Sequence, residues 1–272
     1  MNYAKPLTHA VLLASLTLTA CTSATGEVEE HTGVAQQDAL TQNALTQNAL
    51  TQNALTQNAL TQNALTQNAL TQNALTQNAL TQNALTQNGL AGDNARELFK
   101  YIVSCALPAS AVIDVGAYSF DGGLGLAPEW GEPDGSCDGS CQQWVSACVI
   151  SRLDYLGVER TISVRGTNPA LQTSSSERKT YSVDEATYYG DIFNGPVKAY
   201  ACLGPGQTQD TRVCGPSIAS CGVVDVLGSC QQLCGPVRSD GSFPDCRVPA
   251  TGGTCNERGT TYDGSITVFL QP

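Results

Sequence analysis

The spacing of apolar positions changes several times along this chain. A mostly apolar run from Ala10 to Ala20 follows a single lysine, Lys5. It is too short to span a bilayer as a mature helix and predicts a secretory signal over residues 1–20. From Leu40 to Leu90 a leucine stands at every fifth position, because the unit Ala-Leu-Thr-Gln-Asn is copied ten times without change between Ala39 and Asn88. On a helix, five steps of about 100° turn successive leucines by roughly 140°, so no apolar stripe forms. On a strand the odd period sends them to opposite faces. A coil with one pentad per side points every leucine inward and stacks identical residues from turn to turn, which is a square β-helix. Ten pentads at four to a coil make only two and a half coils, and short stacks with open ends are marginal. Thr, Gln and Asn fill three-fifths of the unit, so a polar spacer without order is the other expectation for 39–92.

Past Gly92 the pattern becomes that of a globular domain, 93–272. Asn94 as N-cap with Glu97 three residues on predicts a helix carrying Leu98, Phe99, Ile102, Val103 and Cys105 up to Pro108. Ser140-Cys141-Gln142-Gln143 predicts a second, with Cys141, Trp144, Val145, Cys148, Val149 and Leu153 on one face and an end near Gly157. Ser182-Val183-Asp184-Glu185 predicts a third, through Ala186, Tyr189, Ile192 and Phe193. Alternating runs at Thr161 to Arg165, Val197 to Ala201 and Ser265 to Leu270 predict strands. The expected fold is an α+β, disulfide-rich domain preceded by a short square β-helix-like or disordered pentad-repeat spacer.

Charge narrows the partners. The domain holds 20 acidic residues against three Lys and nine Arg, or 12 − 20 = −8. Phosphate neutralisation needs a basic face, so nucleic acid is excluded as a partner. Acidic surface of this kind keeps exported proteins soluble.

Two motifs resemble known families. Leu18-Thr19-Ala20-Cys21 resembles the lipobox of bacterial lipoproteins, in which a cysteine after an aliphatic and two small residues becomes the mature N-terminus. The resemblance implies that Cys21 carries a diacylglyceryl thioether and an acylated amine and holds the chain to a lipid bilayer through 21–38 as a tether. Several acyl chains anchor stably, since each buried methylene adds roughly 0.8 kcal/mol. Thr22, where an aspartate would favour inner-membrane retention in that family, leans toward the outer membrane or cell surface. The repeat resembles the pentapeptide-repeat family, whose right-handed β-helix puts a central Leu or Phe inward. Reading the unit as Asn-Ala-Leu-Thr-Gln keeps the central Leu and departs from the family at the Asn and Ala positions. The domain itself loosely resembles uncharacterised cysteine-rich modules of bacterial lipoproteins, which implies no activity.

Eleven cysteines follow Cys21: Cys105, Cys137, Cys141, Cys148, Cys202, Cys214, Cys221, Cys230, Cys234, Cys246 and Cys255. In an exported chain that density predicts a disulfide framework of up to five bridges with one thiol over. Cys141 and Cys148 on one helix stand about 10.5 Å apart along its axis, beyond disulfide reach, so each needs a partner elsewhere, with Cys105 available to one. The repeated Gly-Ser-Cys-Gln-Gln, at 139–143 and 228–232, is compatible with two similar helix starts. Cysteine spacings from Cys214 onward do not follow zinc-site pairs, so no metal and no cofactor are expected. Asp121, Glu129, Glu132, Asp134 and Asp138 lack the EF-hand order and read as solvated loop acids.

Both histidines, His9 and His31, precede the domain, which removes triads and histidine zinc chemistry from it. Ser176-Glu177-Arg178-Lys179 matches Ser-x-x-Lys without its partner motifs, and Gly122-Gly123-Leu124-Gly125 leads to Pro128 and not into a helix. A paired-carboxylate enzyme needs no histidine, and Glu177, Asp184, Glu185 and Asp191 are its candidates. A binding or adhesion module is the leading expectation, with no enzyme activity required and an unknown extracellular or envelope ligand, and a purely structural envelope role is the remaining alternative. Its contact candidates are Trp130, in an acidic loop, and Tyr118, with Tyr188 and Tyr189 behind them. Trp144 is expected in the core.

Overall fold

The computed structural model describes residues 49–50 and 93–272, apart from 159, 195, 218–220 and 250–258. The signal segment, Cys21, the tether, nearly all of the repeat and Cys255 lie outside the described residues, and so do the expectations placed on them.

The described residues form an α+β domain with several disulfides. Helix α1 (Asp93–Ala106) is followed by the hairpin β2 (Val112–Val115) and β3 (Tyr118–Asp121), then α2 (Gly139–Ser151) and β4 (Ile162–Arg165). The short α3 (Ser175–Thr180) leads into β5 (Val183–Asp191) and β6 (Lys198–Leu203). One-turn α4 (Thr211–Cys214), β7 (Val224–Ser229), one-turn α5 (Cys230–Leu233), β8 (Cys246–Val248), β9 (Thr260–Tyr262) and β10 (Ser265–Leu270) complete the order. The main sheet runs β1-β4-β10-β5-β6-β7, where β1 is Ala49–Leu50 on the outer edge of β4. Every pair is antiparallel except β6 with β7.

Both faces of this sheet are covered, which explains its composition. Ile162, Val164, Ala186, Tyr188, Ala199, Ala201, Ile266 and Val268 meet α2 and α1 in the main core, through Val145, Cys148, Val149, Phe99 and Ile102. The alternate positions Tyr189 and Cys202 enter a second core with Cys230, Leu233, Phe243, Cys246 and Tyr262. Period-two alternation therefore separates Tyr188 from Tyr189 by a whole layer. The second layer contains little regular structure and is tied by sulfur.

Ten cysteines pair as Cys105–Cys148, Cys137–Cys141, Cys202–Cys230, Cys214–Cys221 and Cys234–Cys246. Cys141 and Cys148 each bond outside their shared helix, and Cys105 takes Cys148. Both Gly-Ser-Cys-Gln-Gln copies open helices, α2 at Gly139 and α5 at Cys230.

Two element expectations need correction. The segment after Ser182 is strand β5, not a helix. Its Val183, Thr187, Tyr188 and Tyr189 favour a pleated surface, and burial of both faces removes the polar alternation that marks an ordinary strand. Gly190 fits this strand alone: its φ is 147°, and a Cβ there would lie 2.0 Å from the Lys198 carbonyl oxygen on β6. Helix α2 stops at Ser151, six residues short of Gly157, and is capped two positions before Ser140, where Asp138 accepts from the Cys141 N–H at 2.9 Å. The hairpin β2–β3 and strands β7, β8 and β9 were not expected; β8 and β9, at three residues each, are too short for periodicity to show.

Candidate functional site

The four candidate carboxylates separate into distinct environments. Asp191 holds a turn, accepting from the Phe193 and Asn194 N–H groups at 2.9 and 3.1 Å. Glu185 points into the main core and meets Arg212 from α4, whose Nη2 lies 2.6 Å from its Oε2. Arg212 donates from Nε to both oxygens of Glu185, from Nη1 to the Ser151 and Leu153 carbonyls, and from Nη2 also to the Tyr188 hydroxyl. Tyr188 donates in turn to Asp210. Burial alone would lower the Arg212 pKa, yet Glu185, Tyr188 and Asp210 together outweigh it and hold the guanidinium charged. Burial pushes Glu185 up against that attraction, and Asp210 adds to the push. Every Arg212 donor is engaged, so this network fastens α2, β5 and α4 together and offers nothing to a ligand.

The other two carboxylates stand on the opposite face of the sheet and are less well satisfied. Glu177 in α3 is buried, with Oε1 accepting from the Ser163 hydroxyl at 2.7 Å and Oε2 without a hydrogen-bond partner. Ser163 also accepts from Arg165 Nε at 3.3 Å. The Arg165 guanidinium lies 3.6 Å over the Phe269 ring and donates to the Asp240 and Tyr181 carbonyls. Asp184, half-buried on β5, has an Oδ1 without a partner, packed against Gly204. Burial pushes Asp184 up to about 6, opposed by Arg165 and assisted by Glu185. Burial likewise raises Glu177, against the Ser163 hydrogen bond and Arg165.

Register relates the two carboxylates only through the sheet. Ser163 on β4, which bonds Glu177, and Asp184 on β5 both pair with Phe269 on the strand between them.

The aromatic candidates fare differently from their prediction. Trp130 is fully buried in the 3-10 turn Pro128–Gly131 and stands edge-on to Phe193, ring centroids 5.5 Å apart. The turn folds against the end of α1, with Ala127 N–H bonded to the Ala106 carbonyl, so the acidic neighbours Glu129 and Glu132 face water while the indole faces inward. Trp130 is therefore no contact residue. Tyr188 and Tyr189 are buried too, whereas Trp144 is half-buried against the main core. Tyr118 remains exposed on β3 under the Arg96 guanidinium, 4.8 Å from the ring centroid.

The sequence reading passed over the loop after α2. Tyr155, Leu156 and Val158 are exposed there, Leu156 at 71%. The buried Asp154 holds them by accepting from the Leu156 and Val158 N–H groups at 2.9 and 3.0 Å and from Arg160 Nε at 3.3 Å. The Asp-x-x-Gly spacing of Asp154 and Gly157 was the available turn signal, masked by extending α2 too far.

Arg152, the C-cap of α2, is also notable. It is buried and bonds Ser104 at 3.0 Å, but its Nε and Nη2 have no partner. Burial lowers its pKa to about 10, with Tyr101 opposing.

No protein-family model matches the chain, and no curated protein or solved structure matches it.

Proposed function

We propose that the chain is an exported bacterial lipoprotein, held to the outer membrane or cell surface through acylated Cys21, that displays a disulfide-bonded binding domain on the Ala-Leu-Thr-Gln-Asn spacer. One observation carries the reading: ten described cysteines are paired in five bridges, which persist in an oxidising compartment. That agrees with the export signal and lipobox resemblance at Cys21. The spacer acts through its length, as a square coil or as a tether with an end-to-end distance on the order of 40 Å. The contact surface is the loop of Tyr155, Leu156 and Val158, because the backbone under these exposed apolar side chains is already held, at Leu156 and Val158 by the buried Asp154 carboxylate and at Tyr155 by the Arg212 carbonyl, and loses little entropy on binding. The partner is an extracellular or envelope ligand with an apolar pocket.

Fractionation with intact-mass measurement tests the anchor: Cys21→Ser should move the protein from membrane to soluble export, and a wild-type N-terminus without lipid mass would overturn it. Peptide and carbohydrate arrays test the domain. A ligand of the wild-type domain should be lost on Leu156→Asp with the fold unchanged, and unchanged binding would refute this contact surface.

A second reading, a carboxylate-dependent hydrolase, is favoured by the raised and incompletely satisfied Glu177 and Asp184. Hydrolysis of a panel of glycoside and peptide substrates that is lost in Asp184→Asn would support it.

A further inference from the structure

Two bridges of the second layer touch. Cys202–Cys230 ties β6 to the first residue of α5, and Cys234–Cys246 ties the residue after α5 to β8. The Sγ atoms of Cys202 and Cys234, which belong to different bridges, lie 3.4 Å apart. Those of Cys202, Cys230 and Cys234 all lie within 4.8 Å of one another, and Cys246 is bonded to the last of these. Four sulfurs thus share one site.

Access to them is unequal. Cys202, Cys230 and Cys246 are buried, while Cys234 is half-buried. Thiol–disulfide exchange is controlled by which sulfur an attacking thiolate can reach. An external thiolate meets Cys234 first. Once freed, Cys234 faces Cys202 at contact distance, and a second bridge is within its reach.

We propose that Cys202, Cys230, Cys234 and Cys246 form a thiol-exchange site whose substrate is a dithiol, and that reduction at Cys234 re-routes the bridge from Cys202–Cys230 to Cys202–Cys234. In the first step a thiolate of the dithiol bonds to Cys234 Sγ, the Cys234–Cys246 bond breaks, and Cys246 leaves as a thiolate that takes a proton. The second thiolate of the reagent then closes on its own partner sulfur, which leaves as a cyclic disulfide and releases Cys234 as a thiolate. Two electrons have passed from the dithiol to the protein. Cys234 then attacks Cys202, and Cys230 leaves and takes the second proton. This last step makes one sulfur–sulfur bond and breaks one, so it needs no further reductant.

The mechanical result is specific. Before exchange the start of α5 is bound to β6 and its end to β8; afterwards the end of α5 is bound to β6, and β8 is released from it. One dithiol equivalent changes two attachments.

Limited reduction of the full chain with dithiothreitol under native conditions, followed by alkylation and fragment mapping of the bridges, tests this. The expected result is label on Cys230 and Cys246 with an intact Cys202–Cys234 bridge, beside molecules labelled on Cys234 and Cys246. Label confined to Cys234 and Cys246, with Cys202–Cys230 intact in every reduced molecule, would overturn it, as would reduction of Cys202–Cys230 first. A second measurement needs no reductant: in Cys246→Ser the free thiol should distribute, so alkylation appears on Cys230 as well as Cys234. Label on Cys234 and none on Cys202 or Cys230, in a variant that still gives native circular dichroism, refutes the exchange.

Discussion

Replacing Asp184 by asparagine should make the domain more stable, and the gain should depend on pH. Asp184 is raised from an ordinary value of 3.8 to about 6, chiefly by burial. Each unit of difference between folded and unfolded states corresponds to about 1.4 kcal/mol, so the charged form costs the fold at most about 3 kcal/mol. Half-burial leaves water to screen part of that, and about 1 to 2 kcal/mol is the realistic figure. The folded state holds its proton more tightly than the unfolded state, so wild-type stability falls as pH rises from about 4 through about 6 and is level above that. Asparagine has no such slope and can keep its carbonyl oxygen where Oδ1 packs against Gly204. The two proteins should therefore be nearly equal at about pH 3.5 and differ by 1 to 2 kcal/mol, roughly, at about pH 7.5. Urea denaturation followed by tryptophan fluorescence, with bridges intact, measures this at each pH. A difference that is absent at neutral pH, or equal at both, would show that Asp184 is not a buried charge the fold tolerates at a cost. A residue of that kind is characteristic of positions kept for use and not for stability.

Four further outcomes follow from the same geometry. Arg212→Met should cost about 3 to 5 kcal/mol in urea denaturation, since it leaves Glu185 buried opposite Asp210 without its cation. Arg152→Met should be neutral or stabilising by about 1 to 3 kcal/mol, because two of its nitrogens are buried without partners; a large loss in the same assay would mean that the charge is satisfied. Removing Cys105–Cys148, which spans 43 residues, should cost about 4 kcal/mol in the chain-entropy model, against about 2 for Cys137–Cys141, which spans 4; equal shifts in denaturation midpoint would contradict that ordering. Gly190→Ala should cost more than about 2 kcal/mol and lower the melting temperature, since its Cβ has no space beside Lys198.

Local signals located most of the long elements and failed at β5, where a capping-box match competed with the strand pattern. The first two helices and the strand from Ser265 to Leu270 were legible because each is a run of closely spaced apolar residues long enough to identify its type, although the ends of α2 were not. β5 was not, because Tyr188 and Tyr189 are both interior, in different cores, and the capping-box match at Ser182 and Glu185 is accidental: Glu185 reaches Arg212, 27 residues away. Of the site, the sequence supplied the carboxylates by type but not their fates. Glu177 and Asp184 differ from Glu185 and Asp191 only in which face of the sheet or turn receives them, and that is decided by distant partners such as Ser163 and Arg165. Trp130 was misplaced for a similar reason. Acidic neighbours indicate an exposed loop, yet one side chain of such a loop can turn inward when the loop caps a helix end.

The five bridges also obey an order that has nothing to do with their strength. Cys137–Cys141 lies inside Cys105–Cys148, Cys214–Cys221 lies inside Cys202–Cys230, and Cys234–Cys246 stands alone. Like matched parentheses, none crosses another. A chain that emerges amino-terminus first can close each inner loop before its enclosing one, and no loop has to be threaded through a ring already made. Correct pairing then requires that Cys141 and Cys221 close on the cysteine just before them, after which Cys148 and Cys230 each meet one open partner, so the order of emergence carries part of the folding instruction. A permuted chain that exposes Cys202 before Cys105 would keep this property, whereas one opened between Cys137 and Cys141 would lose the local closure within Cys105–Cys148.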